Sequence, residues 1–346
     1  MKIADRTIGA GHPAYVIAEA GVNHNGDIEL ARSLVRAAVE AGADAVKVQT
    51  FVAEQIVTRD APKADYQVES TARAESQLEM LKRLELSRED HKDLQALCRE
   101  LGVAFVSTPF DLRSVVLLDE LDVPFIKIGS GEVTNLPFLE YVARKGRPIV
   151  LSTGMSTLAE ADEAVRTIEA AGCRDLAVLH CVSNYPADPR DANLRAMQTM
   201  AAAWSIPVGY SDHTPGIAVP LAAVAMGASI IEKHFTLDRT LDGPDHRASL
   251  EPDAFRRMVE GIRTVEVALG SGRKEPAASE KNTARVARRS LVAARDIAAG
   301  TVLDTQDIAI LRPVTGLPPV MLAHVVGRTA RAEIPVGTII RLEMLT

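Results

Sequence analysis

The sequence predicts an α/β fold: a (β/α)8 barrel followed by a small β-rich domain. Three observations carry that expectation. From about residue 14 to 270, eight short apolar runs alternate with longer segments of helical period. An open doubly wound sheet, the competing architecture, usually has fewer strands and a GxGxxG first turn, and no such turn is present. After Gly270 the texture changes, and a seven-residue pattern recurs at an offset of 37.

Residues 2–13 precede the first strand and are expected to form a hairpin under the barrel. The strands are read at Tyr15–Ala20, Ala45–Thr50, Ala104–Thr108, Phe125–Ser130, Pro148–Thr153, Leu176–Val182, Ile206–Asp212 and Ser229–Phe235. Between them, Ile28–Ala41 carries Leu30, Leu34, Val35, Ala38 and Val39 at helical spacing. Residues 75–102 hold two helices, because Ser87-Arg88-Glu89-Asp90 opens a second one. Thr157–Ala171 starts on a capping pattern, Ser156/Thr157 with Glu160, and stops at Gly172. The barrel domain is placed at 1–270, a polar linker at 271–282 and the small domain at 283–346. In that last part residues 297–303 (IAAGTVL) match 334–340 (IPVGTII), each a turn feeding a short strand.

Several function classes drop out on composition. The 346 residues are 47% hydrophobic and 25% charged, a globular balance and not a disordered one. Aromatics are 4%, with Trp204 the sole tryptophan, and the net charge is −7, so nucleic acid is not an expected partner. No apolar run reaches the ~20 residues that span a bilayer. The opening Met1–Arg6 lacks the apolar core of a signal peptide, so the expected location is the cytoplasm. Cys98, Cys173 and Cys181 have neither disulfide-framework nor zinc spacing and read as buried thiols. From Thr283 onward eight arginines face five acidic residues, whereas the preceding 282 residues carry −10. A basic module suits docking over a mouth that binds anions; charge alone equally allows an incidental difference.

In a barrel of this kind the active site lies at the C-terminal strand ends. Those ends carry Glu19; Lys47 and Gln49; Ser107 and Thr108; Lys127 with Ser130 and Glu132; Ser152; His180 to Tyr185; Ser211 and His213; and Glu232 to His234. The two lysines with Thr108, Ser130, Ser152, Ser183 and Ser211 suit a phosphate cradle, since small neighbours let backbone amides approach an anion. His213 and His234 are the metal candidates: two imidazoles with open positions suit a labile divalent ion such as Mn²⁺. Two ordinary histidines are the competing reading. Glu19 and Glu132 are either salt-bridge partners or proton shuttles, and spacing does not choose.

The motifs together resemble the sialic acid synthases. Residues 17–26 (IAEAGVNHNG), 46–50 (VKVQT), 107–110 (STPF), 127–132 (KIGSGE), 151–155 (LSTGM), 180–186, 209–214 (GYSDHT), 232–236 (EKHFT), 243–246 (GPDH) and 248–252 (ASLEP) carry the likeness. From Arg289 the tail resembles the antifreeze-protein-like (SAF) domain that follows the barrel in that family. The resemblance implies condensation of phosphoenolpyruvate with an N-acylated mannosamine-type sugar, releasing phosphate. N-acetylmannosamine giving N-acetylneuraminate is the expected pair; a 2,4-diacetamido-2,4,6-trideoxymannose giving N,N'-diacetyllegionaminate is the alternative. It further implies Mn²⁺, with Mg²⁺ or Co²⁺ as substitutes, held by His213 and His234. Phosphoenolpyruvate falls to Lys47, Thr108, Lys127, Ser130, Ser152, Ser183 and Ser211, with Asn184 competing with Ser183. Gln49, Tyr185 and Asp245 face the sugar, and Glu19 and Glu132 handle protons and water. A homodimer is implied, in which each small domain caps the partner's barrel and Arg312 reaches the sugar's N-acyl group. The stretch after Arg312-Pro313, Val314 to Pro319, departs from the family's glycine-rich pattern, so the capping loop is expected to sit differently. Two other classes are a Schiff-base aldolase on Lys47, Lys127 or Lys233 and a non-catalytic sugar-acid binder.

Overall fold

The computed structural model describes residues 1–71 and 75–346. The chain divides into two units, Met1–Gly270 and Ser271–Thr346. In the first, β1 (Lys2–Ile3) and β2 (Arg6–Thr7) pair antiparallel as the expected hairpin. Strand β3 (Tyr15–Gly21) leads to helix α1 (Ile28–Glu40), whose N-cap Asp27 accepts from the amides of Glu29 and Leu30. Strand β4 (Ala45–Thr50) is followed by three short helices, α2 (Ala53–Ile56), α3 (Asp65–Ser70) and α4 (Gln77–Leu84). Helix α5 (Arg88–Leu101) starts on a capping box at Ser87 and stops at left-handed Gly102, φ 73°.

The alternation then runs β5 (Ala104–Pro109), α6 (Leu112–Glu120), β6 (Ile126–Ile128), α7 (Leu136–Ala143), β7 (Ile149–Ser152) and α8 (Leu158–Ala170). It ends with β8 (Leu176–Cys181), α9 (Arg195–Ala203), β9 (Val208–Asp212), α10 (Ala218–Ala225), β10 (Ile230–His234) and α11 (Pro252–Leu269). All eight strands are parallel, in the order β5-β4-β3-β10-β9-β8-β7-β6, so first and last barrel strands pair and the sheet nearly closes. The expected (β/α)8 barrel is therefore present.

The strand ends correct three expectations. Strands β7 and β9 start after Pro148 and Pro207, because proline has no amide for a ladder. Strand β6 stops at Ile128, and Ser130–Glu132 is a 3₁₀ turn that buries Val133. Glycines at 129 and 131 favour that turn over a strand.

Period-2 alternation splits the barrel core in two. Outward side chains such as Val16, Val46, Phe105 and Ile231 bury against the helices. Inward ones, Ile17, Ala45, Val106, Phe125, Val150, Leu179 and Ile230, fill the lower barrel, and Ile3 and Ile8 of the hairpin segment bury in the same cluster. Tyr15 meets Phe125 edge to face there, centroids 6.2 Å apart. Packed shut below, the barrel leaves only its upper inward positions for chemistry.

The second unit has its own buried core of Leu291, Ala293, Ile297, Leu303, Ile334 and Ile340. Residues 281–287, partly assigned to a linker, are helical (α12, Lys281–Ala287). One two-stranded antiparallel sheet forms, β11 (Ser290–Ala293) with β12 (Ile308–Leu311), followed by α13 (Leu322–Val325). The two copies of the repeat pair with each other: Ile297 and Ile334 exchange backbone hydrogen bonds of 2.9 and 2.8 Å. Gly300 N–H donates to Ala330 C=O, and 37 residues away Gly337 N–H donates to Ala293 C=O. The repeat is thus an internal two-fold built from single bridges and turns, with less regular strand than expected. No described helix is long and apolar enough to cross a membrane.

Candidate active site

On each inward face the side chains change from apolar to polar going up the strand. Ile17 gives way to Glu19, Ala45 to Lys47 and Gln49, Val106 to Thr108, and Phe125 to Lys127. Val150 gives way to Ser152, Leu179 to Cys181, and Ile230 to Glu232 and His234. Residues of this set, with Ser130, Ser183, Tyr185, Ser211 and His213, line one cavity of about 350 Å³.

Two lysines anchor its floor. Lys47 Nζ lies 2.9 Å from Thr108 Oγ1, 2.5 Å from Glu19 Oε2 and 3.8 Å from Glu232 Oε2. Lys127 Nζ donates to Ser152 Oγ at 2.7 Å and lies 3.6 Å from Glu232 Oε1. Ser211 donates to the same Glu232 oxygen at 2.9 Å. Both lysines are buried. Burial opposes the charge on Lys47, but Glu19 and Glu232 outweigh it and raise its pKa. Lys127 is lowered, by burial first. Burial pushes Glu19 up to about 7 against the pull of Lys47, whereas on Glu232 the burial penalty is overcome by Lys127 and Lys47, which hold it low. Two carboxylates a few ångströms apart are thereby driven in opposite directions, the arrangement expected of an acid–base pair.

Glycines make room for this crowding. A side chain at Gly21 (φ +51°) would meet Glu19 Oε1 at 3.0 Å, Gln49 Nε2 at 3.4 Å and Asp245 Oδ2 at 3.6 Å. One at Gly154 would meet Ser183 Oγ at 2.3 Å, Cys181 Sγ at 2.8 Å and Ser130 Oγ at 3.0 Å. The Gly154 amide donates to Ser130 Oγ at 2.8 Å. Serine hydroxyls and a bare backbone therefore face the lysines, a shape suited to a phosphate or carboxylate. Ser183 lines the cavity, while the Asn184 amide turns away to Pro186 C=O at 3.1 Å.

His213 and His234 face each other at the cavity's edge, ring centroids 5.2 Å apart, and Tyr185 packs on both at 4.2 and 5.3 Å. His213 Nδ1 donates to Val182 C=O at 2.6 Å, which leaves the Nε2 lone pair free. His234 Nδ1 is buried with no hydrogen-bond partner, 3.6 Å from Asp245 Oδ2. Burial keeps both rings neutral, with His213 lowered to about 4 and His234 well below its ordinary value. Two neutral imidazoles, one with an orphaned nitrogen, fit a divalent ion. Among the described residues no group of three or more His, Cys, Asp or Glu is arranged for a metal, so further ligands would be substrate or water oxygens.

The remaining expected residues fall in three places. Gln49 lines the main cavity and donates to Glu19 Oε1 at 3.4 Å. Asp245 lines an adjoining side cavity, where burial pushes it up to about 6. Glu132 sits in the 3₁₀ turn outside the described lining, accepting from Asn135 Nδ2 at 2.7 Å. Arg312 is exposed on the C-terminal unit, just after β12. Lys233, one of the candidate amine nucleophiles, points to the outer face: it is fully buried against Asp212, 2.6 Å away. Glu232, between the lysines, is the site residue that motif reading left unassigned. Its signal is the two-residue step that puts it on the face of His234.

Behind this site His24 and His246 are buried and neutral, each lowered to about 4, chiefly by burial. Their folded values lie below the ordinary 6.5, so the unfolded chain binds more protons between pH 6.5 and 4. Stability should therefore fall as pH drops through that window. We expect the melting temperature to decline by several degrees between those pH values, and His24→Asn to flatten the slope. An unchanged slope in the variant overturns this origin.

Comparison with known proteins places this geometry. A family model described as "NeuB family" matches residues 34–274, and one described as "SAF domain" matches residues 288–346. The chain is 47% identical to the N,N'-diacetyllegionaminic acid synthase of Legionella pneumophila over 95% of this chain and 94% of that one. It is 39% identical to the N-acetylneuraminate-9-phosphate synthase of Mus musculus, covering 93% and 90%. Among solved structures, N-acetylneuraminic acid (sialic acid) synthetase from Leptospira borgpetersenii in complex with citrate superposes with a TM-score of 0.74 at 35% identity, covering 82% of this chain and 94% of that one.

Proposed function

The chain belongs to the NeuB family of sialic acid synthases, and on that footing we propose that it condenses phosphoenolpyruvate with an N-acylated mannosamine-type sugar and water. The products are a nine-carbon 2-keto sugar acid and inorganic phosphate. The observation that carries this reading is the lysine–serine cradle, with Lys47 and Lys127 beside Ser130, Ser152, Ser183 and Ser211, set next to a neutral histidine pair.

Lys47 and Lys127 with the hydroxyls hold the phosphate and carboxylate of phosphoenolpyruvate and fix its enol carbon toward the sugar. The enol carbon bonds to the open-chain aldehyde carbon, and positive charge develops at C2. Water adds to C2, and the bond from C2 to the phosphate oxygen breaks. Glu19, raised by burial, suits the proton donor to the new alkoxide, and Glu232, held ionised between lysines, suits orientation of the water. His213 and His234 would hold Mn²⁺, or Mg²⁺ or Co²⁺ in its place, which when bound polarises the aldehyde as a Lewis acid. Most of the acceleration is then placement and electrostatics. Gln49, Tyr185 and Asp245 face the sugar, and Arg312 is assigned to the N-acyl group bound by a second copy, which makes the working form a homodimer in the cytoplasm.

N-acetylmannosamine is the acceptor expected from the sequence, but the 47% identity to a diacetyllegionaminic acid synthase favours the 2,4-diacetamido-2,4,6-trideoxy sugar. The test is phosphate release from phosphoenolpyruvate and Mn²⁺ with each sugar, repeated with EDTA. Release with one sugar that EDTA abolishes is the expected result. Release insensitive to EDTA overturns the metal assignment, and no release with either sugar overturns the synthase reading.

A further inference from the structure

The helices between β4 and α5 build a second cavity, of about 280 Å³, against the first. The two share Gln49, Tyr185 and His234 as a common wall. Beyond that wall the character changes. Val22, Phe51, Ile56, Val57, Leu81 and Leu84 line it, and neither lysine nor arginine is among its described lining residues. Val22, Phe51 and Leu84 belong to one buried cluster with Met80, separate from the main barrel core. The polar groups it does have, such as Gln67, Gln77 and Asp245, include no cation.

We propose that this side cavity is the subsite for the end of the sugar remote from its aldehyde, and that it selects a methyl group at C6 over a hydroxymethyl or a phosphorylated one. This rests on the synthase reading above. An aldehyde facing His213 and His234 leaves the rest of an open-chain hexose to pass Gln49 and Tyr185, and the space beyond that wall is apolar. Burying a methyl there releases water from apolar walls. A hydroxyl in the same place loses its water partners and finds few replacements. A phosphate dianion would be buried with no counter-charge and with the Asp245 carboxyl close by.

The experiment compares kcat/KM for N-acetylmannosamine, its 6-deoxy analogue and its 6-phosphate, on the full-length protein with phosphoenolpyruvate and Mn²⁺. The 6-deoxy sugar is expected to exceed N-acetylmannosamine by about 10-fold or more, the scale of one group in an apolar pocket. The 6-phosphate should give no detectable turnover. Val57→Thr, nearly isosteric, and Leu81→Ser add a hydroxyl to the wall and should shrink the 6-deoxy preference severalfold, with the KM for phosphoenolpyruvate unchanged. Equal use of the 6-deoxy and 6-hydroxy sugars by the wild type overturns the proposal. So does an unchanged preference in both variants. Failure of every sugar, the 2,4-diacetamido one included, overturns the synthase reading itself and this subsite with it, so the two failures are told apart.

Discussion

His234→Ala lowers turnover by about 10³-fold or more and leaves the melting temperature within a few degrees of wild type. The residue ends β10, buried, with Tyr185 and His213 packed against its ring and its Nδ1 without a partner. A structural histidine in such a place would spend both nitrogens on hydrogen bonds, as His246 spends Nδ1 on Thr236 at 2.7 Å. Leaving one bare costs stability, and the site retains that cost because a ligand completes it. Removing the imidazole therefore loses little folding energy, since no hydrogen bond is broken. It does remove half of the only histidine pair described at the mouth, and Lewis-acid stabilisation of a carbonyl is worth several kcal/mol, hence the factor of about 10³. Equilibrium dialysis with Mn²⁺ gives an independent readout: one ion per wild-type chain, none per variant chain. Wild-type turnover in His234→Ala, or undiminished Mn²⁺ binding, sinks the assignment.

Much of this site is legible in the chain because a strand repeats every two residues and a barrel buries one face entirely. Lys47 and Gln49, Ser211 and His213, and Glu232 and His234 are each two apart, so each pair must share the inward face. Helix caps at Ser87 and Thr157 are legible for the same local reason: three residues decide them. What depends on the third dimension is not. Glu132 and Glu232 look alike as carboxylates near strand ends, yet a 3₁₀ turn carries one to the rim while the barrel closes around the other. Lys233 sits between two inward residues and so points out, which alternation does predict and motif reading passes over. Ser183 and Asn184 lie after β8, where no period applies. The side cavity was hidden most thoroughly: Met80, Leu81 and Leu84 have ordinary helical spacing, and nothing local says that their apolar face borders a substrate instead of a core.

Lys47→Met separates the two duties of a buried cation. Its ammonium is the partner of Glu19 at 2.5 Å and the neighbour of Glu232 at 3.8 Å, all three nearly inaccessible to water. Removing one member of a buried pair strands the other, at a typical cost of about 3–5 kcal/mol. The chain has one way to soften this, which is to protonate Glu19. In the wild type Glu19 is already raised from 4.5 to about 7, so its contribution to stability is complete below the ordinary value and is lost as pH rises through the folded one. Without Lys47 the folded value rises further, because the largest influence lowering it is gone. The variant should therefore be much less stable than wild type at pH 8, with the difference narrowing toward pH 5. Activity behaves otherwise. Phosphoenolpyruvate loses a cation that no proton replaces, so its KM should rise about 100-fold or more at every pH, the scale expected when a charge-assisted contact is deleted in a dry site. Thermal melts from pH 5 to 8 and initial rates over the same range test both halves. A destabilisation independent of pH removes Glu19 as the stranded partner, and an unchanged KM removes Lys47 from the anion site.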